Sequence, residues 1–328
     1  MVPQDLAGRP IVTVDAQAIR AAHTRIPAPF RASPQFVSEA LSAQLGRPVV
    51  VKLEVANPIG CFKGRGTWLA MSELAAAGTV GERTGVLVAS AGNFGQGVAY
   101  AGRELGVPVI VYAATTANPS KVAAMRRLGA DVRLVGEDFD AAGAAAATAA
   151  AETGWHRLLD GEDPWIAIGA GSMALELTDG VAAGELPALS AVYVPVGNGA
   201  LIGGVGAWLK EEAPAVRVIG VQAERAPAME RSWRAHRAIE TERADTIADG
   251  IAARVPVPQA LELMLAFVDE MVLVSEEEII EATQELEVAV PVAIETAAGA
   301  GWAAARRSGP SGGPIALIVT GGNTNREG

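Results

Sequence analysis

A chain of 328 residues, half of them hydrophobic and 19% charged, is long enough for roughly two cores, and its apolar stretches break on Gly, Pro or charge before they reach membrane-spanning length. The net charge of −11 argues against nucleic acid or any polyanion as the main partner. Three histidines far apart in sequence, His23, His156 and His236, offer no zinc cluster, and the lone Cys61 can form no intrachain disulfide.

The N-terminus "MVPQDLAGRPIVTVDAQAIR" lacks the basic start and apolar block of a secretory signal, so the expected location is the cytoplasm. A strand, "PVVVKLEV", comes next, then "NPIGCFKGRG" (57–66), where three glycines within seven residues force a tight turn around Lys63. A helix is expected from about Gly64. From Gly85 strands and helices alternate: "GVLVAS", "FGQGVAYAGRELG", "PVIVYA", "PSKVAAMRRLG", "ADVRLV", "DFDAAGAAAATAAAETG". That is the rhythm of a parallel sheet wrapped by helices. The Ala-rich run at 141–151 reads as closely packed helix rather than low-complexity tail. A second unit follows, with strand "AVYVPVG", helix "ALIGGVGAWLKEEA", strand "VRVIGVQAE", helix "SEEEIIEATQELE" N-capped by Ser275, and a final strand and loop "PIALIVTGGN".

In open parallel sheets ligands bind where loops leave the carboxyl ends of strands. Three glycine-rich loops hold that position: "SAGNFGQG" (90–97), "VGNGALIGG" (196–204) and "TGGNTN" (320–325). Any one alone is equally well plain turn chemistry; together with a glycine-flanked lysine they point to a ligand. "GNGAL" opens a helix, where free backbone N–H groups and the helix dipole favour an anion. A dinucleotide is disfavoured, because Ile202 fills the third glycine position after Gly197 and Gly199, and Gln222 stands where a ribose-binding acid is expected, although Glu224 is close.

"NPIGCFKGRG", "SAGNFGQGVAYAG", "PVGNGALIGG", "TIADGIA" (246–252), "IETAAGAG" (294–301) and "TGGN" (320–323) occur in the order seen in pyridoxal-phosphate enzymes of the tryptophan synthase β fold (fold type II), and the chain most resembles their serine/threonine dehydratase and serine racemase group. The resemblance covers nearly the whole chain. It implies an α/β fold of two open, mostly parallel sheets wrapped by helices, a large domain from 1–84 and 163–328, a small domain inserted at 85–162, and a cofactor between them. It implies that Lys63 holds pyridoxal 5'-phosphate as a Schiff base, exchanges with the substrate amine and then serves as the base. Phe62 would lie against the ring, Asn93 would bond its hydroxyl, Thr320 would face its nitrogen, and Glu295 would lie in the pocket or act as a structural acceptor. Backbone N–H groups of Gly197, Asn198, Gly199, Ala200 and Leu201 would bind the phosphate. Ser90, Ala91, Gly92, Asn93 and Phe94 would receive the substrate carboxylate, with Ala170 also facing the substrate.

The sequence departs from the family pattern at four places. Phe94 replaces a histidine and Ala170 a glutamine, so the pocket is expected to be less polar. Asn198 and Ala200 stand where glycines are common, which is tolerable if both keep ordinary backbone angles. Cys61 replaces Ser or Ala and is expected as a small buried residue. Gln222 and Ala228 occupy the positions of divalent-cation ligands in some relatives, so no metal is expected. The implied activity is α,β-elimination of a β-hydroxy amino acid to a 2-oxo acid and ammonia, with the cofactor phosphate protonating the leaving hydroxyl; β-replacement and racemisation are rivals within the same chemistry, and a binding protein that keeps the fold without turnover is the rival from another class. The residues do not identify which β-hydroxy or β-amino acid is used. A homodimer is implied by the resemblance alone, and with few residues after "TGGN" no C-terminal regulatory domain is expected.

Overall fold

Apolar runs with no polar alternation, such as "VIVYA", "AVYVP" and "IALIV", form the inner strands, and burial on both faces is what such runs require. In the computed structural model, which describes residues 12–309 and 311–324, ten strands form two sheets. They are β1 (Gln35–Val37), β2 (Val49–Leu53), β3 (Val86–Ala89), β4 (Val109–Ala113), β5 (Asp131–Leu134), β6 (His156–Arg157), β7 (Ala191–Pro195), β8 (Arg217–Ala223), β9 (Glu270–Val274) and β10 (Ile315–Val319). The first sheet runs β1-β2-β10-β7-β8-β9 and the second β5-β4-β3-β6. Every pairing is parallel except β1 with β2. The early strand "PVVVKLEV" thus joins the last one, Val49 to Leu53 lying in register with Ile315 to Val319. The expected fold class is observed.

Among the described residues twelve α-helices cover the sheets: α1 (Ala16–His23), α2 (Glu39–Leu45), α3 (Lys63–Ala76), α4 (Asn93–Leu105), α5 (Pro119–Arg127), α6 (Phe139–Thr153), α7 (Pro164–Ala182), α8 (Ala200–Glu212), α9 (Ala228–Ala235), α10 (Pro258–Phe267), α11 (Glu276–Ala289) and α12 (Thr296–Arg307). Ser275 caps α11 with a full capping box, its Oγ accepting from Glu278 N while the Glu278 carboxylate accepts from Ser275 N. α4 stops at Gly106, whose left-handed φ of 67° lets its N–H bond back into the last turn. The Ala-rich α6 packs less closely than expected. Only Ala142 and Ala146 are fully buried, against Leu87, Ile110 and Tyr112, because a helix on the outside of a sheet buries one stripe.

α3 is fixed in depth by contact between backbones. A Cβ on Gly66 would stand 2.6 Å from the Ile166 carbonyl oxygen of α7, and one on Gly169 would stand 2.5 Å from Gly66 Cα. No side chain fits at that crossing, so α3 and α7 meet at the closest approach two helices allow, and the first residue of α3, Lys63, is held with them. Residues 1–11 and Asn325 lie outside the described residues, and with them most of the N-terminal segment read above and the end of the last glycine loop. Among the described residues no helix is long and apolar enough to cross a membrane.

Candidate active site

The turn before α3 is stitched to the loop that leaves β10. Phe62 N donates to Thr320 O at 3.0 Å, and Cys61 bridges Gly321 in antiparallel fashion. Three residues after Phe62, Arg65 ties the helix down from inside. Its fully buried guanidinium donates to Glu54 Oε2 (2.9 Å), Glu176 Oε1 (2.7 Å) and Ser172 Oγ (2.9 Å). Lys52 of β2, also fully buried, donates to the same Glu176 and to Gln35 Oε1. Burial lowers the Lys52 pKa; it would raise that of Glu176, but hydrogen bonds from His23 and Arg65 and the charges of Arg65 and Lys52 hold that carboxyl well below its usual range. Cys61 is buried, as expected, and burial pushes its thiol up, away from reactivity.

Lys63, by contrast, looks into the space between the sheets. Its Nζ donates to Asp160 Oδ2 at 2.6 Å and lies 4.9 Å from the centre of the Phe62 ring and 5.9 Å from that of Phe94. Phe94 therefore lines the site. Ala170 is buried in the main core on α7, between Gly169, which meets α3, and Gly171, which abuts Ile19 and Gly204. The pocket is not simply less polar than expected, because Asp160 brings a carboxylate to the amine.

The loop "SAGNF" starts α4. Ser90 Oγ accepts from Gly92 N (3.2 Å) and Gly95 N (2.9 Å), so the serine first serves its own loop, while Ala91 is exposed. Asn93 Nδ2 donates to both Glu295 oxygens (3.0 and 2.9 Å), and Asn93 Oδ1 accepts from Asn323 Nδ2 (2.8 Å). Glu295, at the N-terminus of α12, donates its N–H to Gly321 O at 2.9 Å. Burial raises the Glu295 pKa to about 6, with the charge of Asp249 adding to the rise and Lys121 and the Asn93 amide opposing it. Glu295 is thus both a member of the site and a structural acceptor.

The phosphate-type loop sits at the N-terminus of α8. Gly199, the N-cap residue of α8, has φ of +100°, a conformation L side chains avoid, and has no side chain of its own to cap the helix. Asn198 Oδ1 accepts from Ala200 N at 3.0 Å. Among the described residues Ala32 and His236 are the non-glycine positions with positive φ, so Asn198 and Ala200 keep the ordinary angles that their presence demanded. A Cβ on Gly161 would meet Asn198 Cγ at 3.0 Å, so the Asp160–Gly161 turn links Lys63 to this loop. Gln222 Oε1 accepts from Glu230 N, and Ala228 begins α9.

Three contributors escaped the sequence reading. Asp160 pairs with Lys63. Lys121, on α5, pairs with Asp249 and lies beside Gly92, where a Cβ would be 3.7 Å from Lys121 Cδ. Asn323, although inside a quoted motif, orients Asn93. Lys121 had a signal: it stands four residues before buried Met125 on the apolar stripe of α5.

An amine linked to a helix N-terminus, with a positive-φ glycine clearing the approach, suits a small phosphate ester bearing a carbonyl. That combination between two parallel sheets defines a cofactor enzyme of covalent carbonyl–amine chemistry. Residues 28–321 match the family described as "Pyridoxal-phosphate dependent enzyme", and the chain belongs to it; its cofactor is pyridoxal phosphate. The chain is 38% identical over 287 residues to the L-threonine ammonia-lyase of Thermotoga maritima, covering 87% of this chain and 70% of that protein. It is 34% identical over 305 residues to the catabolic L-threonine dehydratase TdcB of Staphylococcus aureus, covering 90% and 86%. The crystal structure of a T.th. threonine deaminase superposes with a TM-score of 0.87 at 30% identity, covering 96% of this chain and all of that one.

Proposed function

We propose that the protein is an ammonia-lyase that converts threonine, or a close β-hydroxy amino acid, to a 2-oxo acid and ammonia. The observation that carries this reading is the Lys63 amine beside Asp160, Phe62 and Phe94 and linked through Gly161 to the α8 N-terminus, on a chain similar to proteins named L-threonine ammonia-lyase. The bound cofactor supplies an electrophile for amines and a ring that takes up electrons from the α-carbon. Lys63 anchors it and, once displaced by the substrate, receives the α-proton. The N–H groups of Gly197 to Leu201 would hold the phosphate, Phe62 would lie against the ring, Asn93, oriented by Glu295 and Asn323, would meet the ring hydroxyl, and Thr320 would face the ring nitrogen. The α4 N-terminus, Ser90 to Phe94, receives the substrate carboxylate, with Ala170 behind it.

The division into a large domain (1–84 and 163–328) and a small one (85–162) belongs to this proposal. It is supported by the strand membership of the two sheets. Cytoplasmic location and a homodimer rest on the family resemblance. An ammonia-release screen over threonine, serine, 3-hydroxyaspartate and larger β-hydroxy amino acids tests the activity; consumption of the substrate with a new amino acid formed and no ammonia released would indicate β-replacement instead, and no turnover at all would indicate a binding protein.

A further inference from the structure

Among the described residues Asp160 is the one carboxylate paired with Lys63, and its bonding is incomplete. Oδ2 accepts from Lys63 Nζ at 2.6 Å, while Oδ1 is buried and has no hydrogen-bond partner. In the loaded enzyme the Lys63 amine is committed to the cofactor, so the carboxylate is left with its one ammonium partner withdrawn from Oδ2 and with Oδ1 still unpaired. A partly buried carboxylate without a partner is costly, and the group that satisfies it best is another charge-assisted donor. The geometry already shows what that donor resembles: a primary alkylammonium approaching Oδ2.

We propose that Asp160 binds an ammonium on the β-carbon of the substrate and so makes the protein a lyase for 2,3-diamino acids as well as for β-hydroxy ones. This rests on the reading of Lys63 as cofactor anchor and α-proton base. A β-nitrogen departs readily only as an ammonium, which leaves as neutral ammonia; an uncharged amine would have to leave as an amide anion. Two ammonium groups on adjacent carbons acidify each other, and Asp160 opposes that by pairing with the β-ammonium and keeping its proton in place. The Cα–H bond breaks with its proton passing to Lys63 Nζ, its electron pair becomes the Cα=Cβ bond, and the Cβ–N pair leaves with ammonia. Water then hydrolyses the enamine, so 2,3-diaminopropionate and one water give pyruvate and two ammonia. Phe94, whose ring also lies near the Lys63 amine, packs against the carbon chain and offers no competing charge.

The test compares the wild-type holoenzyme with Asp160→Asn on 2,3-diaminopropionate and on threonine, following ammonia and 2-oxo acid. Borohydride reduction with peptide mapping, and the melting curve, establish that the variant is folded and holds its cofactor on Lys63. The expected result is turnover of both substrates by the wild type and, in the variant, a fall of roughly 10- to 100-fold in kcat/KM for 2,3-diaminopropionate relative to that for threonine, the value of one hydrogen bond to a charged group. Turnover of threonine but not of 2,3-diaminopropionate by the wild type overturns the inference and leaves the proposed function standing. Equal losses on both substrates also overturn it, because Asp160 would then act on Lys63 alone. A wild type that takes no cofactor on Lys63 overturns both readings.

Discussion

Glu295 carries a measurable energetic signature. Its carboxyl is buried and its pKa is raised from 4.5 to about 6, so the native state keeps a proton that the unfolded chain has already released. For a raised carboxyl the sign follows directly: the favourable contribution is present below the unfolded pKa and is lost as pH rises through the folded one. A shift of about 1.5 units corresponds to roughly 2 kcal/mol, lost between about pH 4.5 and 6 and then constant. Glu295→Gln keeps an oxygen for the Asn93 amide and cannot ionise, so it should escape that loss. For a chain of 328 residues 2 kcal/mol is about 3 °C in Tm, taking the usual unfolding entropy per residue. Thermal unfolding of the cofactor-free parent and variant at pH 4.5 and pH 7.5, followed by circular dichroism, measures it. The variant should gain about 3 °C on the parent between the two conditions. A Tm difference that is the same at both pH values, or that moves the other way, would refute the reasoning and place the Glu295 charge in contact with solvent or a cation.

Phe94→His should lower the preference for a larger β-substituted substrate over serine by about tenfold, since one methylene of apolar contact is worth roughly 1–3 kcal/mol; kcat/KM on the two substrates measures it, and an unchanged ratio would remove Phe94 from the specificity pocket. On the proposed reading the enzyme should eliminate without racemising, because Lys63 would serve one face of the α-carbon and the residue that the family resemblance puts beside the other is Ala91, whose methyl exchanges no proton. Chiral chromatography of each substrate enantiomer during ammonia release checks this, and opposite enantiomer formed at a comparable rate would point to Ser90. Arg65→Met should cost about 3–5 kcal/mol, since it leaves Glu54 and Glu176 buried and short of a cation; chemical denaturation measures it, and a loss below about 1 kcal/mol would mean that those carboxylates find water or take up protons.

Much of the fold could be read from residue patterns. "AVYVP" and "IALIV" are apolar throughout because both faces of their strands are covered, and Gly106 and Ser275 mark helix ends by their own chemistry. The Ala-rich α6 misled, since alanine on every side of a helix does not reveal which stripe is buried. Lys63 stood out by its glycine flanks and by resemblance. Its partner did not, because Asp160 lies 97 residues away, as Lys121 lies 128 from Asp249 and Asn93 lies 230 from Asn323. Pairings made across two sheets leave no local pattern: an aspartate in a turn looks solvated until the fold brings an amine to it.

Which lysine carries the cofactor tests the assignment of this site most directly. Lys52 is sealed against Glu176 and Lys121 is paired with Asp249, whereas Lys63 faces the loop at α8 through Asp160 and Gly161. Borohydride reduction of the holoenzyme, proteolysis and mass mapping should place the reduced pyridoxyl group on the peptide that contains Cys61 to Arg65. The same mass shift found on the peptide of Lys52 or of Lys121 would contradict the assignment.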